Sequence, residues 1–541
     1  MTESVTERTL LFPVVVPGYE EWQTGTALCA PAGGSSAHTC SSRQVQGEHA
    51  KAGPTVVQEP QEHAVVSSAP KASHGKVVGL AVAGAVGGFL FGFDSSVVNG
   101  AVDAIQGSFS LSHAVTGFAV AVALLGCAVG SWLAGAVGDR FGRIPAMKLG
   151  ALLFFASAIG TGFSVGLWDL IAWRLIGGLG IGLASVIAPA YISEISPRQM
   201  RGRLASLQQL AITTGIFAAL LSDALLANGA GGATHTLWFG VDAWRWMFLA
   251  GAVPAVVYGW IAFVLPESPR FLVLRGNDEG ARNVFRSIAP DDDIEREIRD
   301  IRQAIEEDQL SERRGALRGH AFGLKPVLWV GIALSVFQQF VGINVIFYYS
   351  TTLWKSVGFR EEDSLTISVV TSITNILVTL IAIALVDRVG RRPILLVGSI
   401  GMAVSLGTMA LAFSTASLVN GEPALSGAWG PIALVAANVF VVCFGASWGP
   451  LVWVLLGEIF PPSIRARGLG IAAAAQWIAN FLITVSFPPM AAWSLPITYG
   501  MYALFAALSF FFVLAKVPET NGMSLEQAET LFVRPGKATS N

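Results

Sequence analysis

The sequence predicts an all-α membrane protein: twelve transmembrane helices in two pseudo-symmetric six-helix halves, with a small cytosolic helical segment between them. Three observations lead there. First, 53% of the 541 residues are hydrophobic and only 13% are charged, against roughly a quarter charged in soluble domains, and the mean hydropathy is +0.59. A water-soluble fold of this length needs a polar exterior; hydrocarbon can take the place of that exterior. Second, from Val77 onward apolar stretches recur, each of about 20 residues and long enough to cross ~30 Å of hydrocarbon. Third, charged motifs of the first half return in the second half in the same order.

The spans fall near 77–99, 114–137, 147–165, 167–191, 204–227, 244–265, 326–353, 365–386, 394–415, 430–457, 467–490 and 497–517. Arginines then orient them. Loops after spans 2, 4, 8 and 10 carry Arg140, Arg143, Arg198, Arg201, Arg203, Arg388, Arg391, Arg392, Arg465 and Arg467. Loops at 100–113, 228–243, 416–429 and 491–496 carry neither Lys nor Arg; Lys355 and Arg360 after span 7 are the exception. The pattern predicts a multi-pass protein of the cytoplasmic membrane with both termini in the cytoplasm.

Residues 1–75 are rich in Ser, Ala, Gly, Pro and Gln and hold four of the seven histidines, a composition that predicts a disordered extension. Its apolar run Leu10–Pro17 contains two prolines, too short to span and poor as a signal peptide. The predicted units are then 76–272 and 324–520 as the two halves, 273–323 as the linker, and 521–541 as a cytosolic tail. Within the linker Ile294, Ile298, Ile301 and Ile305 make one stripe of an amphipathic helix.

The internal repeat is specific. Gly138-Asp139-Arg140-Phe141-Gly142-Arg143 returns as Asp387-Arg388-Val389-Gly390-Arg391-Arg392. Glu194, Pro197 and Arg201 return as Glu458, Pro461 and Arg465, and Pro266-Glu267-Ser268 returns as Pro518-Glu519-Thr520. Duplicated halves around a central cavity suit alternating access, with a substrate site at their interface.

Charges inside spans are few, and each is a functional candidate. Asp94 lies about six residues below the outer end of span 1 and Arg174 about seven below that of span 4, or ~9–10 Å at 1.5 Å per residue. The two spans run oppositely, so the pair reaches similar depth, and pairing would offset the cost of burying either charge alone. Burial favours the neutral acid and a neighbouring guanidinium favours the carboxylate, so movement of Arg174 would switch the proton affinity of Asp94. A permanent structural ion pair is the alternative.

Together these motifs resemble the major facilitator superfamily, and specifically its sugar porter family, from about Val77 to Glu526. The likeness rests on Pro266–Arg270, on Gln338-Gln339-Phe340-Val341-Gly342-Ile343-Asn344, and on Pro518-Glu519-Thr520-Asn521-Gly522. Phe91-Gly92-Phe93-Asp94, Trp448-Gly449-Pro450 and Gln476-Trp477-Ile478-Ala479-Asn480 add a likeness to bacterial proton-coupled hexose and pentose symporters. The resemblance implies import of a monosaccharide, D-glucose or a similar hexose, with proton symport and with Asp94 and Arg174 as the coupling pair. It departs from some proton symporters of the family at Gly251, where they have a glutamate, and at Ile144, where the motif has a second basic residue.

Sugar hydroxyls call for neutral amides, which donate and accept at once, and for aromatic faces. Gln209, Gln338, Gln339, Asn344, Asn375, Trp453, Gln476, Trp477 and Asn480 occupy positions at which sugar porters bind sugar, with Phe91 and Tyr348 as secondary contacts. Each amide can instead bond a neighbouring helix. Asp139, Arg140, Arg143, Glu194, Arg201, Asp387, Arg388, Arg391, Glu458 and Arg465 form a candidate cytoplasmic gate, an ionic latch between the halves; helix-end charge is the alternative.

The formal charge of −2 gives no basic footprint for nucleic acid. The scattered cysteines form no disulfide framework, and the chain has no Walker loop, GxSxG or HExxH. No cofactor, metal or enzymatic activity is therefore expected; the partners are sugar, protons and lipid, with one chain sufficient for the pathway. An uncoupled facilitator and a non-transporting sugar sensor are the competing readings. The acidic Asp94 argues against the first.

Overall fold

The chain divides into two units, Met1–Ser67 and Ser68–Asn541. The structure, a computed structural model, describes residues 74–520 other than 197–200, 289–292, 314–316, 318–322, 420–421, 426 and 461–463. The predicted N-terminal extension and C-terminal tail lie outside the described residues, save for the start of α1.

Among the described residues twelve helices are long and apolar enough to cross a membrane. In the first half they are α1 (His74–Val97), α3 (His113–Phe141), α4 (Arg143–Gly162), α5 (Leu167–Ile195), α6 (Arg201–Ala230) and the pair α7 (Ala243–Ala250) and α8 (Ala252–Val264), with the short α2 (Val102–Ser108) between α1 and α3. Three cytosolic-type segments follow: α9 (Pro269–Leu274), α10 (Asp278–Ile288) and α11 (Ile294–Arg313). The second half is α12 (Pro326–Phe340), α13 (Ile343–Tyr348), α14 (Ser350–Lys355), α15 (Glu361–Val389), α16 (Arg391–Ser414), α17 (Trp429–Ala446), α18 (Trp448–Ile459), α19 (Arg465–Trp493) and α20 (Leu495–Lys516). A small antiparallel hairpin, β1 (Ser417–Val419) with β2 (Glu422–Ala424), joins α16 to α17, pairing Ser417 with Ala424.

The twelve spans agree with the sequence expectation within a few residues. The differences are local: α2 and the hairpin occupy predicted loops, and three spans are broken. Span 6 breaks at Gly251, span 10 at Ser447 (φ −129°, ψ −88°), and span 7 at Gly342 and Tyr349. Pro254 and Pro450 sit just past two of these breaks, in first turns where a missing N–H costs nothing. In span 7 the cause is Gly342, whose φ of +83° is a left-handed conformation.

Close backbone packing sets the first half. A Cβ at Gly126 would meet the Leu175 carbonyl oxygen, and one at Gly178 the Ala123 carbonyl oxygen; Gly130 and Gly182 repeat this one turn on. Small residues four apart on both helices let α3 and α5 approach at backbone distance. The halves meet along α3 against α19 and along α6 against α15, two contacts that are equivalents under the repeat. The isoleucine stripe of α11 is real: Ile298 is buried with Val273 and Ala281, and Ile294, Ile301 and Ile305 pack against them. Arg282 pairs with Glu295 at 2.7 Å, and that bond to the guanidinium holds the Glu295 carboxyl below its ordinary range.

An added methyl at Gly342 meets the buried Tyr502 ring 2.7 Å away besides being strained by its φ, whereas Gly276 (φ +73°) has nothing within 4 Å. Gly276→Ala should therefore lose only the left-handed penalty, about 1–2 kcal/mol. Gly342→Ala should lose clearly more, read as the larger fall in thermal unfolding midpoint of the detergent-solubilised protein; equal falls would refute the role of Tyr502.

Candidate functional site

Asp94 and Arg174 do meet. Arg174 Nη1 donates to Asp94 Oδ1 at 2.7 Å, and the two side chains are 4% and 8% exposed. Arg174 sits on α5 one turn before Gly178, so the glycine-mediated approach to α3 fixes its level. Its guanidinium also lies 5.6 Å from the Phe248 ring, and its Nε is buried without a partner. Beside the pair is a cavity of about 10 Å³, lined by Phe91, Asp94, Ser95, Cys127, Arg174 and Tyr348 among others, about the room one water needs. The Tyr348 hydroxyl is buried there, with Asn480 and Ser95 as its polar neighbours. Phe91 packs edge-on to Trp477 at 5.2 Å, an aromatic contact from one half to the other.

The amides of span 7 form a chain. Asn344 Nδ2 donates to Gln339 Oε1 (2.5 Å), and Gln339 Nε2 to Gln338 Oε1 (3.4 Å). Gln338 Nε2 reaches the carbonyls of Trp448 (2.9 Å) and Gly449 (3.2 Å). The last two contacts tie Gln338 to the first turn of α18, just past the break between α17 and α18, so Gln338 has a structural duty at this end of the chain. On α19, Asn480 Oδ1 accepts from Thr484 at 3.1 Å, Trp477 is buried, and Gln476 Oε1 is buried with no hydrogen-bond partner. Asn375 is buried on α15 against Gly445, and Gln209 is half-buried on α6. Trp453 stands apart in being 41% exposed.

At the arginine-rich end the repeat recurs atom for atom. Glu267 accepts from the backbone N–H groups of Arg143 (2.9 Å) and Ile144 (3.2 Å), and Glu519 from those of Arg391 and Arg392 (3.0 Å each). Each carboxylate thereby caps the N-terminus of a spanning helix, where the dipole favours an anion. Arg143 bonds Glu194 (2.9 Å) and Asp139 (2.9 Å); Arg391 bonds Glu458 (3.0 Å). Ser268 donates to Glu194, and Thr520 to Glu458. These pairs join groups within one half each. Arg140 and Arg388 are exposed, and the side chains of Arg201, Asp387 and Arg465 lie outside the described residues. Ile144 loses little by not being basic, since Glu267 reads its backbone; its counterpart Arg392 adds one bond, to the Leu514 carbonyl at 2.7 Å.

Sequence reasoning missed two features. One is a polar clasp tying the halves at the opposite end. Asn99 Nδ2 donates to Thr351 Oγ1 (3.1 Å) and Asn99 Oδ1 accepts from the Thr351 N–H (3.0 Å). Asp103 accepts from Thr352 (2.8 Å) and pairs with Lys355 (2.8 Å), and Glu361 accepts from the Ala233 N–H (3.0 Å). This explains why Lys355 breaks the arginine pattern: its charge is neutralised across the interface. The other is Asp223, an intramembrane carboxyl on α6 that the scarcity of charge in spans would have flagged.

Several known proteins are similar to this chain. The profile of a family described as sugar (and other) transporter matches residues 80–532. A glucose transport protein of Synechocystis sp. is 53% identical over 82% of this chain and 95% of its own length. The D-xylose-proton symporter of Escherichia coli is 34% identical over 86% and 97%. Among solved structures, the xylose transporter XylE from E. coli in an inward open conformation aligns with a TM-score of 0.72 at 32% identity, covering 84% of this chain and 100% of that one.

Burial tends to discharge the Lys355 ammonium, but Asp103 and Glu361 more than offset this, and its pKa stands above the ordinary 10.5. A raised pKa contributes stability that is fully present below that ordinary value and is lost only as pH rises through the raised one. The Lys355 charge should therefore serve the clasp unchanged from neutral pH up to its ordinary titration range. Lys355→Met should loosen the clasp by the same amount at about pH 7 and about pH 9, measured as accessibility of a cysteine placed at Ser356 to a water-soluble thiol reagent; a difference that changes between those two values would refute this.

Proposed function

Since this chain belongs to the family of sugar transporters, we propose that it imports a monosaccharide, D-glucose or a similar hexose, together with protons by alternating access. The observation that carries this reading is the buried Asp94–Arg174 pair beside a water-sized cavity that Phe91 and Tyr348 also line. A protonatable group and sugar-facing side chains thus share one place at the interface of the halves. A carboxyl between burial and a guanidinium changes proton affinity when the guanidinium moves, which links proton binding to the relative position of α1 and α5.

The substrate site is assigned to Gln209, Gln338, Gln339, Asn344, Asn375, Trp453, Gln476, Trp477 and Asn480, with Phe91 and Tyr348. Support comes from a free hydrogen-bonding atom: Gln476 Oε1 is buried with no hydrogen-bond partner, and an unpaired buried polar atom is costly unless a ligand or water takes it. The arginine-rich end is assigned to the cytoplasm by the positive-inside rule, with both termini there. The clasped end is then outer, and the conformation described is inward-facing. Asp139, Arg140, Arg143, Glu194, Arg201 and their equivalents Asp387, Arg388, Arg391, Glu458 and Arg465 form the latch that engages across the halves when the outer end opens. Residues 76–272 and 324–520 act as the moving halves, 273–323 as a cytosolic layer beneath them, and one chain holds the whole pathway.

The deciding experiment is uptake of radiolabelled D-glucose into proteoliposomes with and without an inward proton gradient. Wild type should accumulate sugar above equilibrium only with the gradient; Asp94→Asn should lose accumulation while counterflow exchange survives. Gradient-independent uptake by the wild type would make the protein a facilitator. Separately, Gln476→Ala should raise KM for glucose by roughly tenfold, the worth of one lost hydrogen bond of ~1.4 kcal/mol, with a smaller effect on kcat; an unchanged KM would remove Gln476 from the site.

A further inference from the structure

A second carboxyl is buried in the transmembrane region, and neither the coupling pair nor the sugar site uses it. Asp223, on α6 about two turns below the outer end, is 0% exposed. Its Oδ2 accepts from the Gly100 N–H at 3.2 Å, and its Oδ1 is buried with no hydrogen-bond partner. Gly100 lies in the turn between α1 and α2, next to Asn99 and three residues before Asp103, the two first-half residues of the outer clasp. The packing is tight: a Cβ at Gly100 would stand 2.8–2.9 Å from the Asp223 side chain and from Met247 of α7. Asp223 thus grips the segment that closes the outer end.

The charged groups on the elements packed around it have partners of their own. On α1, Asp94 is paired with Arg174, and on α2, Asp103 with Lys355. On α7, Arg245 donates to the carbonyls of Gly162 and Ser164 (3.1 and 2.6 Å). On α15, Glu361 bonds Ala233 and Lys355, and Glu362 pairs with Arg360; Asp363 stands in the same exposed first turn. Among the described residues no cation lies within ion-pair distance of Asp223. A carboxylate withdrawn from water without a cation is strongly disfavoured, while the neutral acid can be accommodated and keeps an acceptor for the Gly100 N–H.

We propose that Asp223 is a second proton-binding site of the transport cycle, whose protonation accompanies closure of the outer end and is distinct from the coupled proton on Asp94. When the clasp opens, water reaches Asp223 and the acid ionises to the outside; closing again requires that it take up an outer proton. That proton is bound and released on the same side, so it gates the outer end without adding to the transported charge. The clasp does not supply this pH sensitivity itself, because Lys355 stays charged below its ordinary titration range.

This inference rests on the transport reading, and its test separates the two. Glucose counterflow exchange is measured in right-side-out vesicles at fixed internal pH while external pH is varied, in an Asp94→Asn background that silences the coupling carboxyl. Exchange should fall with rising external pH, by about tenfold per pH unit beyond the titration point. Asp94→Asn/Asp223→Asn should lose that dependence, with Asp94→Asn/Asp223→Ser as a second neutral variant should the first misfold, and Asp94→Asn/Asp223→Glu should retain it. Exchange by Asp94→Asn that is present but independent of external pH would overturn the proposal without any Asp223 variant, as would a pH dependence that survives in the neutral double variants. Absence of glucose exchange in the wild type at every pH would instead strike at the transport reading.

Discussion

An ionised side chain inside hydrocarbon needs a partner, and in this protein the contact between Arg174 and Asp94 is where that requirement bears hardest. Removing one member of such a pair leaves an uncompensated buried charge, at a cost of about 3–5 kcal/mol. The pair therefore dictates much around it. α5 must present Arg174 at the level of Asp94, and it does so by running against α3 at backbone distance through Gly126, Gly130, Gly178 and Gly182. α1 must bring Asp94 to the same level beside α5, and its further packing against α6 is equally close: a Cβ at Gly92 or Gly215 would run into the opposing backbone. Any motion that alters the helix contacts also alters the electrostatic surroundings of a carboxyl, which is the physical content of coupling a proton to a conformational change.

The same rule operates at the two ends, with opposite consequences. At the arginine-rich end the ion pairs of Arg143 with Glu194 and Arg391 with Glu458 each lie within one half, and each carboxylate is further held by a hydroxyl, Ser268 or Thr520. At the other end charges and amides are satisfied across the interface, by Asn99 with Thr351 and by Asp103 with Lys355. Two halves tied at one end, with these pairs of the other end each held within a half, suit one extreme of a rocking motion. The duplicated networks also show why the repeat is conserved in chemistry rather than in letters: serine and threonine, or a glutamate reading either Ile144 or Arg392, do the same work because the hydroxyl and the backbone N–H carry the contact.

The broken spans belong to the same logic. A helix interrupted in hydrocarbon needs support from neighbouring helices, and at the α17–α18 break Gln338 bonds the first two carbonyls of α18. The amide chain that runs from there through Gln339 to Asn344 thus joins a structural duty at one end to the candidate substrate site at the other. Phe91 and Trp477 add an aromatic contact across the halves.

Much was legible in the sequence because it depends on local properties: span length, arginine placement, motif spacing and the isoleucine stripe of α11 each follow from periodicity or from the cost of charge in hydrocarbon. The depth match of Asp94 and Arg174 followed from counting residues along antiparallel helices. What only the tertiary structure decided depends on which side chains meet between distant segments. The clasp joins Asn99 to Thr351 across 252 residues and Ala233 to Glu361 across 128, and in one dimension Lys355 is merely an arginine-rule exception. Asp223 reads as one polar residue in an apolar run until Gly100 and Met247 are seen to enclose it. The breaks at Gly251 and Ser447 stand just before Pro254 and Pro450, and only the structure shows that each helix stops and restarts there. Periodicity and charge are properties of a segment and can be read from it; satisfaction of a buried polar atom is a property of its neighbours, and those are chosen by the fold.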